Sequence, residues 1–453
     1  MTIDLMRNSR TRLSALALLV FACISTALAQ SRPAPLVIIS LDGMRPDYVT
    51  HADEHGLKIP TLRSFIAKGT YAEGVTGVVP TVTYPSHTTI VTGVWPAQHG
   101  IYDNTTFDPL HVHPNVWYWY FKDIKVETLY QAADKAGLKT AAVSWPVTVG
   151  APIDYNIAEY AQSEQTDNPG VSPYNPANIL VQLSITKAPK EDPDVLRTRE
   201  AIAILNKFKP TLLLVHLANL DHQEHLHSPF SREANATLEV IDSQVHQIQQ
   251  AALAVNPATR IAIVSDHGFL RVDHHVNLNV LFAQAGLIQL GASRPNSKGP
   301  SVTAWTAQAW PAGGSCAIVL KDPNDKATLA KVKALLESAK AKPEYGFETI
   351  LTHDELVKRG GFPNASFLVD FKGTYAFTNK LNGPVVEEDP STGTHGYLPS
   401  RADLRSTFMI QGEGIAKDRD LHVIDMRQLA PTFAQLLNVK LPEAKLTPVN
   451  VKP

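Results

Sequence analysis

The sequence predicts an α/β protein with a mostly parallel central sheet flanked by helices, and three observations carry that prediction. Leu36 to Leu41, Thr211 to Leu217 and Arg260 to Ser265 are continuous apolar runs, the pattern of strands covered on both faces. Helix-period segments separate them, and alternation of the two kinds of segment is the signature of a parallel sheet. Each run is followed by an acidic residue, Asp42, Asp221 or Asp266, and sheets of this class gather their chemistry at the carboxyl ends of the strands.

Taken in order, the chain opens with Arg7, Arg10 and Arg12, then an apolar stretch from Leu13 to Ala29 ending in Ala27-Leu28-Ala29. This reads as a cleaved signal peptide over residues 1–29, with an exported, periplasmic or secreted product. A retained membrane anchor or a lipid on Cys23 are the competing readings, the first opposed by shortness and the second by bulky Phe21. Helical patterns follow over Pro60 to Lys68, Thr128 to Ala136, Ala201 to Phe208 and Arg232 to Val255. From about 291 to 390 the pattern loosens, with Pro295, Pro300, Pro311, Gly313-Gly314, Trp305, Trp310 and a helical run from Ala327 to Ala341. That stretch is expected to be an inserted cap, because regular segments resume at Arg405 to Ile410 and Asp425 to Leu437.

Composition narrows the function. The 453 residues carry 41 Lys+Arg against 43 Asp+Glu, a net charge of −2, which argues against binding extended nucleic acid through a broad basic surface. With 44 % hydrophobic residues the chain builds an ordinary core, and its two cysteines, Cys23 and Cys316, leave one thiol after leader removal. No later segment has the length of an apolar transmembrane helix, so no stable membrane insertion is expected after cleavage.

Five short segments hold the residues suited to chemistry: Asp42-Gly43, Thr83-Tyr84-Pro85-Ser86-His87, Asp221-x-x-x-His225, Asp266-His267-Gly268 and Gly393-Thr394-His395-Gly396-Tyr397. Asp and His four apart face one site on a helical turn. Asp42, Asp221, Asp266, His225, His267 and His395 supply three carboxylates and three imidazoles, enough for two divalent metal sites of mixed oxygen and nitrogen character. Thr83 precedes a helical run, so its hydroxyl is expected at a helix amino terminus, where unpaired N–H groups favour an alkoxide or a phosphoryl oxygen; an ordinary N-cap is the simpler reading. His216, His222, His227, His274 and His275 read as surface, supporting or core histidines, and Asp47, Asp53, Asp103 and Asp242 as surface, turn or helix carboxylates.

These segments, with Pro80-Thr-Val-Thr83 and His99-Gly-Ile-Tyr-Asp-Asn104, resemble in order the nucleotide pyrophosphatase/phosphodiesterase family of the alkaline phosphatase superfamily. The resemblance implies an alkaline-phosphatase-like domain over residues 30–453 and two zinc ions. It implies one zinc held by Asp42, Asp266 and His267 with Thr83 as a further ligand, and the other by Asp221, His225 and His395. It further implies Thr83 as nucleophile, Asn104 with the backbone N–H that follows Thr83 as supports for a phosphoryl oxygen, and Tyr84 and Tyr174 as aromatic faces for a nucleobase. The expected substrate is a small nucleotide or other phosphodiester, cleaved to a nucleoside 5′-monophosphate. Phosphonoacetate hydrolysis, phosphomonoester hydrolysis and a metal-binding module without turnover are the alternatives; no cage for a choline headgroup is visible in the sequence.

Overall fold

The computed structural model describes residues 32–112, 117–160, 172–294 and 299–453, the side chains of 390 and 391 excepted. The leader and Cys23 lie outside these residues. The central sheet contains β1 (Leu36–Leu41), β2 (Thr70–Tyr71), β3 (Thr140–Val143), β4 (Tyr155–Ile157), β5 (Tyr174–Asn175), β6 (Leu212–Leu217), β7 (Arg260–Val264), β8 (Phe408–Gln411) and β9 (Arg419–Asp420). Its strand order is β9-β2-β8-β7-β1-β6-β3-β4-β5. The five central strands, β7 to β4 in that order, run parallel, and β8 and β5 flank them antiparallel. Every side chain of β1 and β6 is buried, which is why these strands read as unbroken apolar runs.

Helices cover both faces. On one face lie α1 (Pro60–Lys68), α4 (Pro193–Phe208) and α6 (Arg232–Val255), over a core of Val37, Ile39, Phe65, Leu213, Val215 and Ile241. The other holds α3 (Leu129–Lys135) and α8 (Leu429–Leu437), over Leu36, Ile38, Leu214, Phe408 and Phe433. Alternate residues of β1 thus feed opposite cores, as the twofold repeat of a strand requires.

Local chemistry sets the helix ends. Thr128 caps α3 by accepting the Gln131 N–H, and Asp192 caps α4 by accepting from Asp194 and Val195. The sequence reading began α4 at Ala201; its true first residue is Pro193, and the polar Asp-Pro-Asp opening hides that turn from hydrophobic periodicity. Asp242, expected to be unremarkable, is buried and accepts the Thr61 and Leu62 backbone N–H groups at the start of α1. Asp47 and Asp53 pair with Arg45 and Arg63.

Between 291 and 390 a second, antiparallel sheet forms from Ala307–Pro311, Ser315–Leu320, Phe367–Phe371 and Phe347–Thr352. With α7 (Lys326–Lys340) it encloses its own core of Ile318, Val332, Leu336, Val369 and Phe371, in which Cys316 is a buried free thiol. Trp310 and Ala317 pack with Val79 and Val82, immediately before Thr83, and the Phe107 ring contacts both Trp305 and Trp310. No helix among the described residues is long and apolar enough to cross a membrane.

Glu200 on α4 gives the fold a pH dependence. Burial, partly offset by Arg197 and Arg199, pushes its carboxyl up to about 7. A carboxyl that holds its proton more tightly when folded contributes stability below its unfolded pKa of about 4.5 and loses it as pH rises towards 7. Glu200→Gln is therefore expected to raise stability at pH 8 by on the order of 2 kcal/mol relative to pH 4, read by thermal unfolding at the two pH values. An unchanged difference between the two pH values would count against this account.

Candidate active site

Register creates the site. Ser40 lies level with His216 and with Val264, so β1, β6 and β7 end together and deliver Asp42, the 218–221 turn and Asp266-His267 to one edge of the sheet. Asp42, Asp266 and His267 are buried. α5 (Asn219–His227) begins just after β6, and one helical turn separates Asp221 from His225 on it. The strand Val386–Thr394 ends at His395, whose ring stacks on His267 with centroids 3.6 Å apart.

Each of the three imidazoles is aimed. Nδ1 of His225 faces the Gly393 carbonyl at 3.0 Å, that of His267 the Gly268 carbonyl at 3.2 Å, and that of His395 the Thr81 carbonyl at 3.0 Å. Only an N–H satisfies a carbonyl oxygen, so the Nε2 lone pairs all turn inward. There His225 Nε2 and His395 Nε2 lie 3.4 and 3.6 Å from Asp221 Oδ1, and His267 Nε2 lies 3.1 Å from Asp266 Oδ2 and 3.4 Å from Asp42 Oδ1. Asp42 Oδ1, Asp221 Oδ1 and Asp266 Oδ2 are buried oxygens with no hydrogen-bond partner. Unpaired buried carboxylate oxygens facing imidazole lone pairs are costly unless a cation joins them, and carbonyl-oriented histidines are the usual support of metal ligands.

The donor atoms of Asp221, His225 and His395 fall within 4.8 Å of one another, and so do those of Asp42, Asp221 and His267. Asp221 thus stands between both groups. The electrostatics express the same crowding: burial, then the charges of Asp266 and Asp221, hold the Asp42 carboxyl well above the usual range. Against the effect of burial, the adjacent His267 imidazole holds Asp266 well below it. Burial, then His267 and His225, keep His395 neutral.

Thr83 is the first residue of α2 (Thr83–Thr92), with Val82 at the cap position and no side-chain cap. The simple N-cap reading of Thr83 therefore fails. Its hydroxyl instead lies 3.4 Å from His267 Nε2, at the helix end and on the rim of the carboxylate cluster. Asn104 is also brought there: its Oδ1 accepts the Tyr84 backbone N–H at 2.8 Å, which fixes the amide and occupies the backbone donor expected to face a phosphoryl oxygen. His99 braces this stretch, its Nδ1 accepting the Ile101 N–H and its Nε2 meeting Thr89 Oγ1 at 3.1 Å. Asp103, read as a surface, turn or helix carboxylate, is buried at a bend, and burial raises its carboxyl while one oxygen accepts the Asn104 N–H.

Tyr84 is only 2 % exposed; its ring packs on Trp117 and Trp119, and its hydroxyl donates to Glu159 Oε2 at 2.9 Å. Tyr174 is not brought to this aromatic wall. It lies on β5 against the core that includes Ile157 and Ile179, and burial followed by Glu200 raises its hydroxyl pKa.

Sequence reasoning left His216 among surface, supporting or core histidines and gave His87 no role; the structure places both beneath the site. His216 Nε2 meets Asp42 Oδ2 at 2.9 Å, and His87 bridges the Thr83 carbonyl and Ser40 Oγ while lying 3.6 Å from Asp266. Burial, then His216, takes His87 down to about 3, so it stays neutral. The signal was present as His216 in the second apolar run and His87 one turn after Thr83, two polar residues where the pattern demanded apolar ones.

The model of one protein family, type I phosphodiesterase / nucleotide pyrophosphatase, matches residues 36–398. The chain belongs to this family. Human ectonucleotide pyrophosphatase/phosphodiesterase family member 1 is 27 % identical over 52 % of this chain and 23 % of its own length. The venom phosphodiesterase of Macrovipera lebetinus is 25 % identical over 92 % of this chain and 45 % of its own. The chain spans less than half the length of these curated relatives. Among solved structures, human ectonucleotide pyrophosphatase/phosphodiesterase 5 shares the fold with a TM-score of 0.64 at 20 % identity, covering 91 % of this chain and 96 % of that one. The murine counterpart, an inactive threonine-to-alanine form in complex with AMP, gives a TM-score of 0.65 at 17 % identity, covering 91 % and 97 %.

Proposed function

We propose that this family member is an exported two-zinc phosphodiesterase and nucleotide pyrophosphatase that releases nucleoside 5′-monophosphates through a phosphothreonine at Thr83. The observation that carries the reading is the convergence of three inward imidazole nitrogens and three unpaired carboxylate oxygens beside the Thr83 hydroxyl. Asp42, Asp266 and His267 would hold one zinc together with Thr83, and Asp221, His225 and His395 the other, with Asp221 Oδ1 close to both. Bound there, divalent cations stabilise an alkoxide and a leaving oxygen and lower the pKa of water.

The chain's own residues supply the rest. The end of α2 favours negative charge on Thr83 Oγ1, which attacks phosphorus in line and expels the leaving group on the far side. A water then attacks from the vacated side, breaks the Thr83 ester and returns the hydroxyl with net retention. The Asn104 amide, oriented by the Tyr84 N–H, offers its NH2 group to a non-bridging phosphoryl oxygen. A flat base would lie along the wall that Tyr84 backs with Trp117 and Trp119, a surface tolerant of base identity. Export rests on the residue 1–29 leader, and the names of relatives that include a venom enzyme agree with it.

The test compares initial rates of zinc-loaded protein on bis-p-nitrophenyl phosphate and p-nitrophenyl phosphate. A diester preference of at least about tenfold is expected, about 1.4 kcal/mol in transition-state binding. A monoester preference would move the activity to a phosphatase. Silence on both, with phosphate released from phosphonoacetate, would favour C–P bond hydrolysis.

A further inference from the structure

α5 presents Asp221 and His225 to the metal cluster, and Glu224, between them in sequence, is fully buried with its carboxylate directed to Tyr48 and Gly43. Its Oε1 accepts the Tyr48 hydroxyl hydrogen at 2.9 Å, and the same Tyr48 oxygen accepts the Phe230 backbone N–H at 2.7 Å. Tyr48 belongs to the short helix Asp47–Thr50 that follows the Asp42 turn, and its ring packs on Phe230 with centroids 4.2 Å apart. Arg45 also lies over the Phe230 ring, 5.0 Å from its centroid, and donates to the Phe269 carbonyl.

The fit is close. A Cβ on Gly43 would lie 2.6 Å from Glu224 Oε2, and Gly43 has φ +75°, so both space and backbone demand glycine beside Asp42. The Gly43 N–H donates to Asp266 Oδ1 at 3.1 Å. One continuous chain of contacts therefore joins the turn carrying Asp42 and touching Asp266 to the helix carrying Asp221 and His225.

We propose that Glu224 and Tyr48 are positioning residues: a buried strut that sets the distance between the two groups of metal ligands, with its main effect on the group carried by α5. This rests on the two-metal reading above. A strut between elements differs from general core packing in a checkable way. Its loss should weaken the ligands on the element it holds, while those on β1 and β7, fixed by sheet register, keep theirs.

The experiment is calorimetric titration of metal-stripped protein with Zn2+, alongside metal content after dialysis, for wild type, Tyr48→Phe, Glu224→Ala and Glu224→Gln. Outer partners of metal ligands typically contribute 10- to 100-fold in affinity. Tyr48→Phe and Glu224→Ala are expected to weaken one of two Zn2+ binding events by roughly 10-fold or more with the other unchanged, and Glu224→Gln, which can still accept from Tyr48, to restore most of it. Two wild-type affinities in Tyr48→Phe, equal weakening of both events, or no rescue by Glu224→Gln would overturn the strut. If Glu224→Ala does not fold, Tyr48→Phe, which keeps the ring and its packing, decides alone. Two Zn2+ bound by a wild type inactive on every phosphodiester would defeat the functional reading and leave the strut standing.

Discussion

Thr83→Ala is expected to reduce kcat on a phosphodiester by about 10^3- to 10^6-fold while two metal ions stay bound, measured by single-turnover kinetics and metal analysis of the same sample. The expectation follows from where the hydroxyl stands. It is at the first position of α2, held by no cap interaction, and 3.4 Å from His267 Nε2 on the edge of the ligand cluster. In the proposed arrangement six side chains besides Thr83 would supply ligand atoms, so deleting one hydroxyl would remove the attacking group and leave the cluster intact. Retained turnover would show that water attacks the substrate directly. Loss of metal together with activity would make Thr83 a ligand first and a nucleophile second.

Metal removal should produce the largest change in stability. Stripping two sites that are each filled at about 100 times their Kd costs about 5 kcal/mol, about half the stability of an ordinary domain. The loss should also depend on pH, and the Asp42 carboxyl gives its sign. Burial, then Asp266 and Asp221, raise its pKa in the folded protein. Without a cation, its favourable contribution is present below the usual carboxylate range and is lost as pH rises through the folded value. Asp266, held down by His267, works in the opposite sense and loses its contribution only as pH falls below the usual range. From the Asp42 carboxyl, chelated protein should therefore lose unfolding temperature as pH rises above the usual carboxylate range, and zinc-loaded protein should not, so the gap in Tm between them widens with pH. A gap that is constant or narrows would mean that the carboxylates are not what the metal neutralises.

The fold was legible where residues answer to local rules. β1 and β6 were read from apolar runs because both faces of those strands are covered, and α6 was read to the residue because Ser231 caps it and its apolar positions recur every turn. The start of α4 was not legible, since its first turn is polar and its cap acts through Asp192. Much of the site was legible for a different reason: Asp-x-x-x-His and Asp-His-Gly are short motifs whose members lie on single turns. Tyr174 illustrates the reverse case, because a tyrosine in a polar stretch carries no mark that tells a substrate face from a core face.

By itself, the sequence determined the three central apolar strands, most of the long helices, the residue types able to hold metal and the place of Thr83 at a helix start, because each depends on neighbours within a few positions. Only the tertiary structure decided how those residues meet. The flush ending of β1, β6 and β7 brings Asp42 within reach of Asp266, 224 positions later, and the carbonyls of Gly393, Gly268 and Thr81 choose which nitrogen each histidine turns inward. His216 under Asp42, His87 against Ser40, and Glu224 against Tyr48 are likewise pairings across long stretches of chain. Their energies come from burial and from partners that no local pattern names, and that is why the supports of the site became visible only once the chain was folded.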